Sequence, residues 1–387
     1  MSEIFHGINI LESSGGTRPA VSASQSVIYL VATGPGADTA VFPLNQQVLL
    51  TNVRAAIGDA GSTGTLRGAL QAIADQCEPL VIVMRVEAGV DNAATSANVI
   101  GATSSGTYTG LQGARASRQR FGLTPKIIAA PGLESVAVIT AMVSVAQSVR
   151  GMAYANAIGA TKEDAATFRN GFTARELVLL WPNVIRFDTV TAANVEAPAS
   201  AYAVGMRAAI DQKYGYHKTL SNIPVNGIVG LAKDVSWDML SASNDAGFLN
   251  RNEVSAMIRS QGFVIWGNRT TSSDGQFAFE SATRTAQRLH DIAAQVLVAY
   301  VDKPMAAQTI RDMTASLNAR ARAEVVLERL IGGRYWIDVA KNSATELAAG
   351  RLRISCAYTP VPPLESITVD QMITDEFLFN FSASLNG

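Results

Sequence analysis

The sequence has 387 residues, long enough for two or three domains that each bury a core, so one compact unit is not expected. Charged residues make up only 16% of the chain, against roughly 25% in an ordinary soluble domain. With 48% apolar residues and a net charge of -1, the composition predicts a surface hidden in an assembly. Balanced charge without a Lys/Arg-rich run excludes an electrostatic handle for nucleic acid or an anionic membrane.

The opening residues, MSEIFHGINI, lack the basic-then-apolar pattern of a secretory signal, which predicts synthesis and folding in the cytoplasm. Ile8 and Ile10 alternate before Gly15, Gly16 and Pro19 break the pattern, so residues 1–20 read as a hinged arm. SVIYLVATG is a buried strand stopped by Gly34, Pro35 and Gly36. Leu66, Ala69, Leu70 and Ile73 then repeat with a helical period, and LVIVMRV is the next strand. Residues 91–109, small and polar, read as an exposed insertion or loop. A short helix to Arg120 follows, then strand KIIAA, helix ESVAVITAMVSVAQSV, strand GMAYANAI, helix KEDAATFRN, strand LVLLWPNVIRF and helix APASAYAVGMRAAIDQKY. Strands interleaved with helices predict an α/β domain with a largely parallel sheet over residues 21–223. Its most apolar stretches are too short to cross a bilayer, so no membrane insertion is expected.

From about Pro224 the chain turns to Trp, Asn and Gly-rich turns and then to two long helices. Phe279, Ala282, Ala286, Leu289, Ala293, Val296 and Tyr300 form one apolar stripe, with Arg284, Arg288 and Asp291 off it. Pro304 can start the second helix, in which Ile310, Met313, Leu317 and Ala321 repeat the spacing until Gly332 and Gly333. RYWIDVA and RLRISCAY read as strands around a short helix at SATELAAG, giving a second, α+β domain over 224–366. Pro360, Pro362 and Pro363 then form a stiff spacer before residues 367–387. In that tail Ile367, Val369, Ile373, Phe377 and Phe379 share one face. A helical template also catches Val369, Met372, Ile373 and Phe377, but the β-branched and aromatic content favours a strand. Such a strand can pair with its own domain or with the sheet edge of a neighbour.

Candidates for chemistry are few. GPGADT lacks the third glycine of a dinucleotide loop and reads as a turn, and GDAGSTGT lacks the lysine of a phosphate loop. His6, His217 and His290 have no partner at metal-ligand spacing, and no G-x-S-x-G elbow is present. Cys77 and Cys356 read as small buried hydrophobes. Paired carboxylates, Glu163 with Asp164 and Asp375 with Glu376, read as solvated or helix-start charges. SASNDAGFLNRNEV superficially looks like a calcium loop, but Gly247 falls three residues after Asn244, so a capped turn is expected. No catalytic, cofactor-binding or metal-binding residue is therefore assigned. The alternative is an α/β enzyme or nucleotide-binding protein with a site at the carboxyl ends of its strands.

Residues IPVNGIVGLAKDVSWDMLSASNDAGFLNRNEVSAMIRSQGFVIWGNRT, FAFESATRTAQRL, AYVDKPM and YTPVPPLESI together resemble the contractile tail sheath protein of temperate enteric myoviruses and R-type bacteriocins. The likeness is dense from about residue 217 onward and looser through TGLQGARASRQRFGLTPKIIAAPGL and the N-terminal arm. It implies a structural machine without a cofactor: hexameric rings stacked around an inner tail tube in an extended, metastable state. These collapse to drive the tube through a bacterial envelope, for genome ejection in a phage. Partners would be further copies of the chain, the tube protein, and the baseplate and tail terminator proteins. The particle, a virion tail or a bacteriocin, would assemble in the host cytoplasm. It further implies that strands of the two arms, carrying Ile4, Phe5, Ile8, Ile10, Ile367, Val369, Ile373, Phe377 and Phe379, join the sheets of neighbours. The C-terminal domain would be tube-proximal, with Arg320, Arg322, Glu324 and Glu328 as candidate tube-facing charges.

Overall fold

The structure, a computed structural model, describes residues 25–104 and 106–378. Its first strands are β1 (Ile28–Thr33), β2 (Gln47–Leu50) and β3 (Val81–Val86), followed by the small hairpin β4 (Thr103–Ser104) and β5 (Thr107–Tyr108). Then come β6 (Ile127–Ala129), β7 (Met152–Asn156), β8 (Leu177–Trp181), β9 (Val184–Asp188), β10 (Ala193–Ala197) and β11 (Gly230–Leu231). The last are β12 (Val254–Arg259), β13 (Phe263–Trp266), β14 (Leu330–Trp336) and β15 (Ser355–Pro360).

The main sheet has the order β13-β12-β8-β7-β6-β1-β3-β2, with a parallel interior and antiparallel strands at both edges. Parallel strands covered on both faces need near-continuous apolar runs, and IYLVAT, VIVMRV and LVLLW are buried throughout. Alternate residues divide between two cores. Ile28 and Leu30 pack with Leu70, Ile73 and Tyr202 of the helices Leu66–Ala74 and Ala199–Lys213. Tyr29 and Val31 point the other way, toward Ile139 and Met142 of the helix Val136–Val149.

A smaller unit follows: helices Glu280–Leu297 and Ala307–Val326, the hairpin β14–β15 and the short helix Ala344–Ala348. Its apolar contacts are modest, built on Leu289, Ile292 and Leu330 and on Leu317, Ala321 and Tyr335. Asn318 ties helix to hairpin, donating to the Tyr335 carbonyl and accepting from its N–H, both at 2.8 Å. The architecture is thus an α/β sheet unit joined to an α+β unit, the class expected from sequence.

Several local expectations change. Residues 91–109 are not a loop throughout: Asn92–Ile100 is helical, because Asp91 accepts from the Ala94 N–H at 2.7 Å and Gly101, at φ 70°, stops the last turn. Val99 anchors that helix in the core. LVLLWPNVIRF divides at the Trp181–Pro182 cis bond into β8 and β9, and β9 leaves the main sheet to pair with β10 and β11. The boundary expected at residue 224 falls inside the sheet unit, since β12 and β13 return to pair beside β8. Gly332 and Gly333 lie within β14 instead of ending a helix, which stops at Val326. Cys77 is half-buried, and Cys356, on β15, is exposed.

Candidate assembly surfaces

The two units meet where the helix Glu280–Leu297 crosses the amino ends of the parallel strands. Its apolar stripe faces the small unit, and the residues off that stripe, Arg284 and Asp291 among them, are buried too. Arg284 Nη2 lies 2.5 Å from Asp211, Arg207 Nη2 lies 2.9 Å from the other Asp211 oxygen, and Arg207 Nη1 lies 3.4 Å from Glu280. The Tyr154 hydroxyl donates to Glu280. One turn on, Gln287 donates to the Gly151 carbonyl at 2.8 Å. Asp291 receives Lys126 at 2.6 Å and Arg150 at 2.9 Å. Of these contacts only Arg207 with Asp211, four residues apart on one helix, had a local sequence signal.

Burial raises the Asp211 carboxyl although Arg207 and Arg284 pull it down, whereas Arg284 rises because, against the burial that lowers it most, Asp211, Tyr154 and Glu280 together prevail. Both groups are ionised, because a guanidinium keeps its proton and needs a buried counterion. Lys126 moves downward through burial, with Asp291 opposing.

At the other end of the sheet, the strand order reverses between β1 and β6, the place where open α/β sheets hold ligands. Here the chain fills the crevice itself. The Thr33 N–H donates to Thr65 Oγ1 at 3.1 Å and the Thr65 N–H donates to the Thr33 carbonyl at 2.9 Å. A Cβ on Gly64 would meet the Thr33 carbonyl oxygen at 2.5 Å, and one on Gly132 would lie 3.3 Å from Pro198 and Thr65. The glycines of GDAGSTGT thus admit backbone from the end of β1, where a phosphate loop would admit a nucleotide. GPGADT is a turn closed by the Ala37 N–H on the Gly34 carbonyl. His217 is half-buried and His290 exposed, and partial desolvation lowers both; His290 lines an open polar cleft with Arg150, Arg175 and Asp274. His6 lies outside the described residues. Among the described residues no three His, Cys, Asp or Glu side chains converge as metal ligands, and no helix is long and apolar enough to cross a membrane.

The C-terminal segment is apolar yet exposed. After β15, residues 361–374 form no helix or strand, and Leu364, Ile367, Val369, Met372, Ile373 and Phe377 are all exposed, Ile373 completely. Arg269 holds the tether at one point, with two hydrogen bonds of 2.8 and 2.7 Å to Glu365, while its guanidinium lies 5.2 Å over the Phe279 ring. Beside it, β14 and β15 pair only with each other among the described residues.

The model of the phage tail sheath protein central domain matches residues 106–271, and that of the phage tail sheath C-terminal domain matches residues 272–374. The chain belongs to the phage tail sheath family. It is 43% identical to the tail sheath protein of Escherichia phage P2 over the whole of both chains. It is 38% identical to the major tail sheath protein of Serratia phage KSP20, over 99% of this chain and 98% of that one. The fold matches the helical sheath of the anti-feeding prophage in its contracted state, with a TM-score of 0.71 at 17% identity over 95% of this chain and 98% of that one. It also matches the contracted sheath of the extracellular contractile injection system PVC, with a TM-score of 0.70 at 14% identity over 97% and 99%. A structural subunit of a tail sheath is therefore the function, and the alternative of an enzyme with a site at the strand ends finds no support.

In this sheath protein the arm residues Ile367, Val369, Ile373 and Phe377 are exposed together, but the expected strand is not formed in the single chain. Ile4, Phe5, Ile8, Ile10 and Phe379 lie outside the described residues. Arg320, Arg322 and Glu328 are exposed on and just after the helix Ala307–Val326. Glu324 is not available as a tube-facing charge. It is buried, 3.2 Å from Arg288 and 3.2 Å from the Tyr216 hydroxyl that donates to it, because it lies on the inner side of the helix beside Ala321.

Proposed function

We propose that this sheath protein polymerises as hexameric rings stacked around an inner tail tube in an extended, metastable state, and contracts to drive the tube through a bacterial envelope. The observation that carries the reading is the exposed apolar segment 364–378. A run of seven large apolar side chains in this segment costs free energy in water at roughly 25 cal/mol per Å² of exposed apolar surface, so it calls for a partner. A neighbour's β14–β15 hairpin offers unpaired main-chain groups, which fits strand addition by residues 367–387. Residues 1–20 would form the second arm.

The smaller unit would lie toward the tube, with Arg320, Arg322 and Glu328 facing it. Baseplate and tail terminator proteins would close the two ends, and the particle would assemble in the host cytoplasm. The test is electron microscopy of the purified protein over a concentration series. Rings or tubes that appear as concentration rises are expected; a monomer at every concentration would overturn the reading.

A further inference from the structure

The loop 236–244, which leads into the stretch that looked like a calcium site, is built to be stiff. Asp245 Oδ2 accepts from the Ser236 N–H at 2.9 Å and from its hydroxyl at 2.7 Å, while Lys162 pairs with the other Asp245 oxygen. Within the loop, the Leu240 N–H donates to Asp238 Oδ1 at 2.9 Å, and Asn244 Nδ2 donates to the Asp238 and Ser241 carbonyls at 3.1 and 2.5 Å. Arg251 donates to the Ala242 carbonyl at 2.7 Å. At its base Trp237 packs edge-on against Trp266, with centroids 5.2 Å apart. A Cβ on Gly247 would come within 2.3 Å of the Ala242 carbonyl, so the loop closes tightly on the helix it caps.

All this polar framework presents two apolar side chains to water. Leu240 is 96% exposed and Met239 71%. Exposed apolar groups on mobile loops are ordinary, but a tip held in one conformation has already lost the entropy that binding would otherwise cost. Residues 239–243, MLSAS, carry no charge, so the matching surface is neutral and apolar.

The loop's place in the fold bears on which partner it meets. The loop stands at the carboxyl ends of the parallel strands: the Ala232 N–H donates to the carbonyl of Asn183, just beyond β8, and Lys162 begins the helix after β7. The helix Glu280–Leu297 crosses the opposite, amino ends. Strands of five to six residues at about 3.3 Å per residue separate the two by roughly 20 Å. We propose that Met239 and Leu240 form a docking knob that seats in the α/β unit of a second copy of this chain. The choice of a second copy over the tube rests on the reading that the C-terminal helices face the tube.

A photo-crosslinking amino acid at position 240, in complete sheaths assembled on tubes, tests this. Crosslinked dimers of the sheath protein are expected, together with loss of assembly in Leu240→Asp, whose monomer keeps the wild-type melting temperature because the side chain is exposed. Crosslinks to the tube, no crosslink at all, or normal sheaths from Leu240→Asp would each overturn the knob. The same crosslinker at Arg322 separates the two claims: a crosslink there to another sheath subunit, and none to the tube, would remove the tube-facing reading while leaving the position-240 result to stand by itself.

Discussion

Replacing Arg284 by Met probes the joint between the two units. Arg284 is almost wholly buried, 2.5 Å from Asp211, and its Nη1 lies 3.4 Å from the Tyr154 hydroxyl. Methionine fills much of the same volume, so the cavity contribution is small. What remains is electrostatic: Asp211 and Glu280, exposed by 1% and 3%, would share the single cation Arg207. Removing one partner of a buried ion pair costs about 3–5 kcal/mol, because the other charge stays desolvated. Urea unfolding of the monomer followed by circular dichroism should lose that amount, and adding Asp211→Asn should restore part of it by deleting the orphaned charge. A loss below about 1 kcal/mol, the range of an exposed pair, would refute the claim that this network joins the units. So would a double variant no more stable than the single one.

Two further outcomes follow from local geometry. Arg269→Ala frees the tether, so cleavage after Glu365 by a glutamate-specific protease should rise about threefold to fivefold relative to cleavage after Glu376 in the same chain, the shift an exposed bidentate pair of about 1 kcal/mol supports; an unchanged ratio would show that the pair does not hold the tether. Asp245 is held at about 2, below its ordinary 3.8, chiefly by its hydrogen bond from Lys162 and then by Ser236. A depressed carboxylate stabilises the fold above the unfolded value and loses that contribution as pH falls through the folded one. Fluorescence of Trp237 should therefore report loosening of the loop between about pH 4 and pH 2, and Asp245→Asn should show the loosened signal at neutral pH. A wild-type transition complete above the carboxylate range would contradict the assignment.

The parallel sheet was legible because its strands are buried on both faces and each reads as a near-continuous apolar run. IYLVAT, VIVMRV and LVLLW carry that signal without help from their neighbours. Less legible were features set by contacts far apart in sequence. Composition marked 91–109 as loop, yet an Asp91 cap and one buried Val99 suffice to hold a helix there. Amphipathic spacing placed Arg284 and Asp291 off the apolar stripe but did not reveal their burial, because a helix buried on both sides by charge pairing looks the same in sequence as one facing water. Glu324 was misassigned for the same reason, its partner Arg288 lying on another helix. The tail's apolar alternation was visible from residue types alone, since Ile367, Val369, Ile373 and Phe377 needed no contact to be recognised. Its missing partner became evident only when the folded chain left them exposed.

Deleting residues 367–387 tests the central claim most directly. The cut lies beyond β15 and beyond the Glu365 anchor, so the truncated chain should keep the melting temperature of the full-length monomer. By electron microscopy it should form no tubes at concentrations where the full chain polymerises. Tubes of normal length from the truncated protein would contradict the account, because the exposed apolar arm would then have no part in linking one subunit to the next.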